Sequence, residues 1–198
     1  MEAAVKVFDK KSFAEATVQE IADVAGMAPG NIYRYIGSKQ DILHLICNKA
    51  RESGEYLNGV LESLRGINPI QSLIQCIRAE MKDVDDEEWI NRNLFYIGEI
   101  RNISHEDREF LLKASEDYMR FFEKLIKDGI QRGVFRTENP LLVAHNLTRL
   151  PHAWLLTRWF LSKIYTGEEY TELQIRENLK FLSMDEKDIE KVQILTQG

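Results

Sequence analysis

The sequence predicts an all-α protein in which a small head of short helices precedes a larger body of long ones. Three observations carry this. Apolar residues recur at spacings of three and four along almost the whole chain, and no stretch alternates apolar and polar with β-branched enrichment. The breaks between periodic segments carry helix-start chemistry, and with 4 Pro and 11 Gly in 198 residues such breaks are few.

About nine helices follow in order. The first is read over 2–11. Thr17-x-x-Glu20 opens the second, 18–25: a threonine hydroxyl accepts from a free N–H of the first turn, and the acid three residues on bonds back to the cap. Gly26 permits a sharp turn, and Ala28-Pro29 opens a third helix over 29–36. Ser38-x-x-Asp41 opens the fourth, 39–65, with Ile42, Leu43, Ile46, Ala50, Leu57, Val60, Leu61 and Leu64 as its apolar positions. A helix of this length spans the change from head to body and acts as a lever, with Gly54 and Gly59 marking where it bends or is crossed closely. Asn68-Pro69 and Asn139-Pro140 each pair an Asn cap with a proline whose missing N–H costs nothing in the first turn, opening 69–82 and 140–165. The remaining helices are 86–102, then 105–132 from Ser104-x-x-Asp107, and 167–184 from Thr166-x-x-Glu169. Pro151, which lacks an N–H, predicts a kink in the 140–165 helix. The division places a small head at 1–45 and a larger body at 46–198.

Composition narrows the function. Apolar residues at 44 % and charged residues at 29 % fit a folded globular protein. Apolar runs such as Ala153–Leu156 are far too short to span a bilayer, and Met1-Glu2 opens no secretory signal, so a cytoplasmic protein with no membrane partner is expected. Cys47 and Cys76 form no zinc-type pair and read as reduced thiols. The net charge of −6 argues against a protein that coats nucleic acid. Residues 1–50 hold six basic and six acidic side chains, so the whole deficit lies beyond them and a neutral head remains free to make a local phosphate contact. No HExxH, P-loop or dinucleotide fingerprint is present, and none of His44, His105, His145 and His152 stands in a Glu-x-x-His spacing. His145 and His152 share one helix seven residues apart and read as interface histidines before metal ligands. No catalysis, cofactor or metal is expected.

The informative segment is 17–43. Val18, Ile21, Ala22 and Ala25 mark one face of a two-turn helix, Gly26 turns the chain, and Ile32 and Ile36 face inward from the next helix. Pro29, Gly30, Asn31, Tyr33, Arg34 and Tyr35 are left outward. Two short helices joined by such a turn form a helix-turn-helix, whose second member enters the DNA major groove. There Gly30 permits close backbone approach, Asn31 pairs with an adenine edge, Arg34 reaches guanine or phosphate, and Tyr33 and Tyr35 offer hydroxyls to phosphate. Lys39 sits in the first turn of the fourth helix, where its charge adds to free N–H groups that favour an anion.

Thr17, Ile21-Ala22, Ala25-Gly26, Gly30, Tyr33, Tyr35-Ile36, Ser38-Lys39 and Leu43 together resemble the DNA-binding head of the tetracycline-repressor (TetR/AcrR) family of bacterial regulators. With Phe8 and Phe13 the similarity covers 3–47. It implies DNA contacts at Thr17, Ala28, Pro29, Gly30, Asn31, Tyr33, Arg34, Tyr35 and Lys39. Three departures stand out: Ile36 where the family usually has Phe, Ala28 in place of a Ser or Thr cap, and a start almost at the first helix, where relatives often carry a basic arm. The resemblance also implies a homodimer through the last two long helices, double-stranded operator DNA as partner, and an apolar cavity among the middle helices. Candidates for its wall are Trp89, Phe95, Tyr96, Tyr118, Phe121, Phe122, Trp154 and Arg158. Arg92, Arg101, Arg149 and Arg158 are candidates to pair with an anionic head group, which brings an acyl-CoA or fatty acid to mind as effector. The expected function is a ligand-responsive, sequence-specific repressor released from a palindromic operator by a small hydrophobic effector. The alternative is a dimeric helical interaction protein that has lost DNA binding.

Overall fold

A computed structural model of the chain describes residues 2–11, 13–45, 60, 63–64, 66–99 and 102–182, which form helices and connecting turns with no strand among them. The helices are α1 Glu2–Lys10, α2 Val18–Val24, α3 Pro29–Ile32, α4 at 39–45, α5 Pro69–Met81, α6 Glu87–Glu99, α7 His105–Gln131, α8 Pro140–Thr148, α9 Leu150–Leu161 and α10 Gly167–Phe181. The continuation of α4, with Gly54, Gly59 and the lever they were expected to bend, lies outside the described residues.

Every predicted start carries the bonds that its residues imply. The Thr17 hydroxyl accepts from Glu20 N–H at 3.2 Å while Glu20 accepts from Thr17 N–H at 2.9 Å, and Thr166 with Glu169 repeats the exchange at α10. Ser38 with Asp41 and Ser104 with Asp107 do the same work at α4 and α7. Asn68 and Asn139 each accept an early N–H with proline behind them.

Two elements differ from expectation. The predicted helix 140–165 is two helices, parted at Arg149 (φ −95°, ψ −8°). Pro151 has no N–H to give the Leu147 carbonyl four residues back, and the Arg149 N–H turns instead to Asn146 O at 3.1 Å, three residues back. The proline therefore produces a full break two residues upstream where a kink was expected. The predicted helix 29–36 ends at Ile32, and residues 33–35 continue as turns in which the Arg34 and Tyr35 N–H groups bond three residues back.

The chain folds as two compact units, residues 1–58 with 86–115, and residues 59–85 with 116–198. In the first, Val5, Phe8, Ile21, Ala22, Ile32, Ile36, Ile42 and Leu43 form a core that also takes in Ile103, with Leu111 packed against it. In the second, Leu73, Ile77, Phe122, Ile126, Leu147, Trp154, Ile175 and Leu179 are all but sealed from solvent. Cys76 lies in this core as a free thiol, and burial beside Glu80 pushes its pKa up to about 12, so it stays protonated and inert. Cys47 lies outside the described residues.

Candidate functional site

The head presents the face that its sequence implied. Ile21, Ala22, Ile32 and Ile36 are buried, while Gly30, Asn31, Tyr33, Arg34 and Tyr35 are exposed, the two tyrosines at 58 % and 76 %. Gly26 makes the turn at φ +65°, in the left-handed region that favours glycine. Ala28 caps α3 with no side-chain bond, and Pro29 occupies its first turn. Gly30 is the telling residue. Its backbone is ordinary, and a Cβ built there meets nothing within 4 Å, so neither φ nor intrachain packing requires glycine. The reason offered for glycine here is the expected close approach of a DNA backbone. Gly30→Ala is expected to raise the thermal stability of the head by about 0.5–1 kcal/mol, because alanine loses less backbone entropy in a helix, while weakening duplex binding in a gel shift. Unchanged DNA affinity would remove the reason offered for this glycine.

Two of the expected DNA contacts, Lys39 and Thr17, also bond within the head. The Lys39 ammonium donates to the carbonyls of Phe13, Ala14 (3.2 Å) and Ala16 (2.8 Å), and lies 4.5 Å from the centre of the Phe13 ring. All three of its hydrogens are spent on the loop between α1 and α2. In the DNA-free head Lys39 thus ties this loop to the start of α4. Thr17, though exposed, uses its hydroxyl within the capping box, where it also donates to the Glu20 carboxylate at 3.0 Å. Lys11 pairs with that same carboxylate, and this ion pair with the two Thr17 bonds holds the Glu20 pKa down at about 2. Further along, α4 is tied down by His44 Nδ1 at 2.7 Å from Asp107 Oδ1, and by Gln40 donating to Asn102 O at 3.2 Å.

The expected pocket residues are divided between the units. Trp89 is half-buried at the start of α6, where its N–H bonds the Asp86 carboxylate at 2.8 Å. The side chains of Phe95, Tyr96 and Arg92, and Arg101 altogether, lie outside the described residues. Tyr118, Phe121 and Phe122 come together on α7, Phe122 receiving both neighbours edge-on at centroid distances of 5.4 and 5.2 Å. Trp154 is 0 % exposed, its ring tilted against Tyr170 at a centroid distance of 4.9 Å, and its indole N–H bonds Asp85 Oδ1 at 3.1 Å. Asp85 Oδ2 meanwhile accepts from Gly167 N–H at 3.0 Å, so one carboxylate holds α9 to the start of α10. Trp154 borders a surface groove of ≈ 390 Å³ formed with the Ser162–Gly167 loop, but contributes to it from within the core. Arg158 is half-exposed near the end of α9.

The outer side of the second unit is the reverse of its core. Leu156, Trp159 (72 %), Phe160 (49 %) and Ile164 stand exposed on and just after α9, and Phe181 on α10. Single exposed apolar residues are ordinary, whereas here several fall on two helices.

Comparison with known proteins decides the family. Residues 1–46 match the description "Bacterial regulatory proteins, tetR family", and residues 68–162 match "Tetracyclin repressor-like, C-terminal domain". The chain belongs to the TetR family. It is 27 % identical over 172 residues to the HTH-type transcriptional regulator HbdR of Aromatoleum sp. (strain CIB), covering 86 % of this chain and 73 % of that one. Among solved structures it superposes with a tetR-family regulatory protein from Rhodococcus RHA1 at TM-score 0.77 and 22 % identity, over 92 % of this chain and 94 % of that one. AibR, solved with isovaleryl coenzyme A and operator DNA, gives TM-score 0.70 and 23 % identity, over 88 % of this chain and 92 % of that one. At these identities the structural likeness is one of fold.

As a TetR-family transcriptional regulator, the protein places its helix-turn-helix where residues 17–43 put it. The family's usual Phe at position 36 is replaced by an isoleucine that the core accepts at 6 % exposure. Sequence reasoning missed Glu80, which burial pushes above the usual carboxylate range against a nearby Tyr118 hydroxyl, and it named His152 only as half of a histidine pair. The signal for both was available in principle: Cys76 and Glu80 share a face of α5 four residues apart, and Pro151 sits beside His152.

Proposed function

We propose that this regulator is a homodimeric repressor that holds a palindromic operator and is released by a small apolar effector, with an acyl-CoA or fatty acid as the effector class. The observation that carries the DNA reading is the outward row Gly30, Asn31, Tyr33, Arg34 and Tyr35 on and beyond α3, polar or small throughout and set on a sealed core. One four-residue helix offers too few contacts for useful affinity alone, so two must act together, in successive major grooves about 34 Å apart. The exposed apolar residues of α9 and α10 supply the dimer contact. In this reading residues 1–45 carry the DNA contacts, 46–198 the effector and dimer functions, and the protein works in the cytoplasm without catalysis or cofactor. That AibR was solved with an acyl-CoA and an operator supports the effector class.

The test is a gel shift with the duplex upstream of the protein's own gene. Specific retention with Kd of order 10⁻⁸ to 10⁻¹¹ M is expected. Asn31→Ala should cost about 1–3 kcal/mol, concentrated at one base position. Lys39→Met should leave the salt dependence of binding unchanged, since its ammonium is held by carbonyls of the head, and should instead lower the melting temperature. A slope smaller by about 1 would return Lys39 to a phosphate. Failure to retain any duplex would favour the interaction-protein alternative, for which the uncapped Ala28 is the supporting feature.

A further inference from the structure

Three buried side-chain atoms of the second unit have no hydrogen-bond partner among the described residues: the Tyr118 hydroxyl, Arg149 Nε and His152 Nδ1. They belong to one neighbourhood. The Arg149 charge acts on both Tyr118 and His152, and the Tyr118 hydroxyl lies within reach of the Glu80 carboxyl. Buried polar atoms are nearly always paired in folded proteins, so three orphans gathered from α7, the α8–α9 break and α9 call for a partner. The break itself contributes, because Arg149 is the residue at which α8 and α9 part and His152 follows within the next turn. On its other side the Tyr118 ring meets Phe122 edge-on at 5.4 Å, so an apolar wall adjoins the polar end.

The chemistry of the set selects a ligand. Arg149 Nε–H can only donate, and the Tyr118 hydroxyl, which burial keeps firmly protonated, donates too. Burial and the Arg149 charge keep His152 neutral. Glu80 is the one opposing group, and its burial favours the protonated form that would tolerate an incoming acceptor. We propose that Tyr118, Arg149 and His152 form the polar end of the effector site, and that the effector is an apolar carboxylic acid or its thioester, whose oxygen accepts from Arg149 and Tyr118 while its hydrocarbon lies toward Phe122. The proposal rests on the effector-responsive reading above and adds to it the residues that select the effector's polar end.

The experiment titrates full-length protein with straight-chain acids from butyric to dodecanoic, their CoA thioesters and the matching alcohols, following tryptophan fluorescence and melting temperature. Acids or thioesters should bind about 10- to 100-fold more tightly than the alcohols, the worth of hydrogen bonds to a charged partner. Comparing the two arms shows which source supplies the oxygen. Tyr118→Phe and Arg149→Met should each weaken that binding about tenfold or more, whereas Arg120→Met, on a helix surface between Glu116 and Glu123, should not. Without ligand, Tyr118→Phe should melt no lower than the parent, because it removes an unpaired buried hydroxyl. Equal binding of acids and alcohols, binding of neither acids nor thioesters, or a lower ligand-free melting temperature of Tyr118→Phe with binding intact would overturn the proposal. If another apolar compound still releases operator DNA, the effector reading survives that failure. Absence of any operator binding strikes the effector reading itself.

Discussion

Trp159→Glu combined with Phe160→Glu is expected to give a folded monomer that no longer retains operator DNA. Both rings lie largely outside the protomer's own core, so their loss removes little intrachain packing and helix content should be unchanged. In a two-fold dimer each substitution counts twice, since the same patch is used by both copies. Buried aromatic anchors at the centre of an interface are commonly worth about 2 kcal/mol or more apiece. Four such losses, with four buried carboxylates added, should lower dimer affinity by about 10³-fold at least. Operator affinity falls with it, because the second recognition helix is then no longer delivered by the first. Sedimentation at micromolar concentration checks the assembly and a gel shift its consequence. A double variant that remains dimeric would move the interface off α9.

The second large effect concerns Trp154. As a cavity wall it would tolerate truncation with a change in ligand affinity and little in stability. As the structure places it, sealed against Tyr170, Trp154→Ala should cost about 3–5 kcal/mol in denaturant unfolding, the transfer free energy of the ring plus the void it leaves. Trp154→Phe separates packing from bonding. It keeps most of the ring but leaves Asp85 Oδ1 without its indole donor, and because Asp85 is exposed, water replaces that bond and the cost should be well under half of the alanine value. Gly167→Ala probes the other oxygen of the same carboxylate. A Cβ there would stand 2.4 Å from Asp85 Oδ2, so the aspartate must move and release α9 and α10 together. If Trp154→Ala unfolds at the parent's denaturant concentration, the residue belongs to a cavity after all.

The features legible in the sequence are those whose cause is local. Thr17, Ser38, Ser104 and Thr166 start helices because each satisfies a free N–H within its own first turn, and each does so in the fold. The outward face of α3 was legible for the same reason, since Ile32 and Ile36 fix which way the turn faces. The bonds of Lys39 were not legible because its partners are the carbonyls of Phe13, Ala14 and Ala16, more than twenty residues away. The grouping of Tyr118, Arg149 and His152 was hidden because it depends on where α8 stops, which Pro151 sets only together with the packing of Leu147 and Leu150 beneath it. Trp154 was named for its size, and a large aromatic reads alike whether it lines a cavity or fills one.

The bond between His44 and Asp107 bears on how this protein's DNA preference can be exchanged with that of a relative. Together with Ile103 in the core of the head, it means that the DNA-reading segment is finished by side chains contributed some sixty residues downstream. A chimera that grafts only residues 1–45 onto a foreign body arrives without the Asp107 carboxylate that engages α4 and without the side chain that closes its floor. The transplantable cassette is discontinuous, 1–58 together with 86–115, and grafts that carry both pieces are the ones that should fold with their reading face intact.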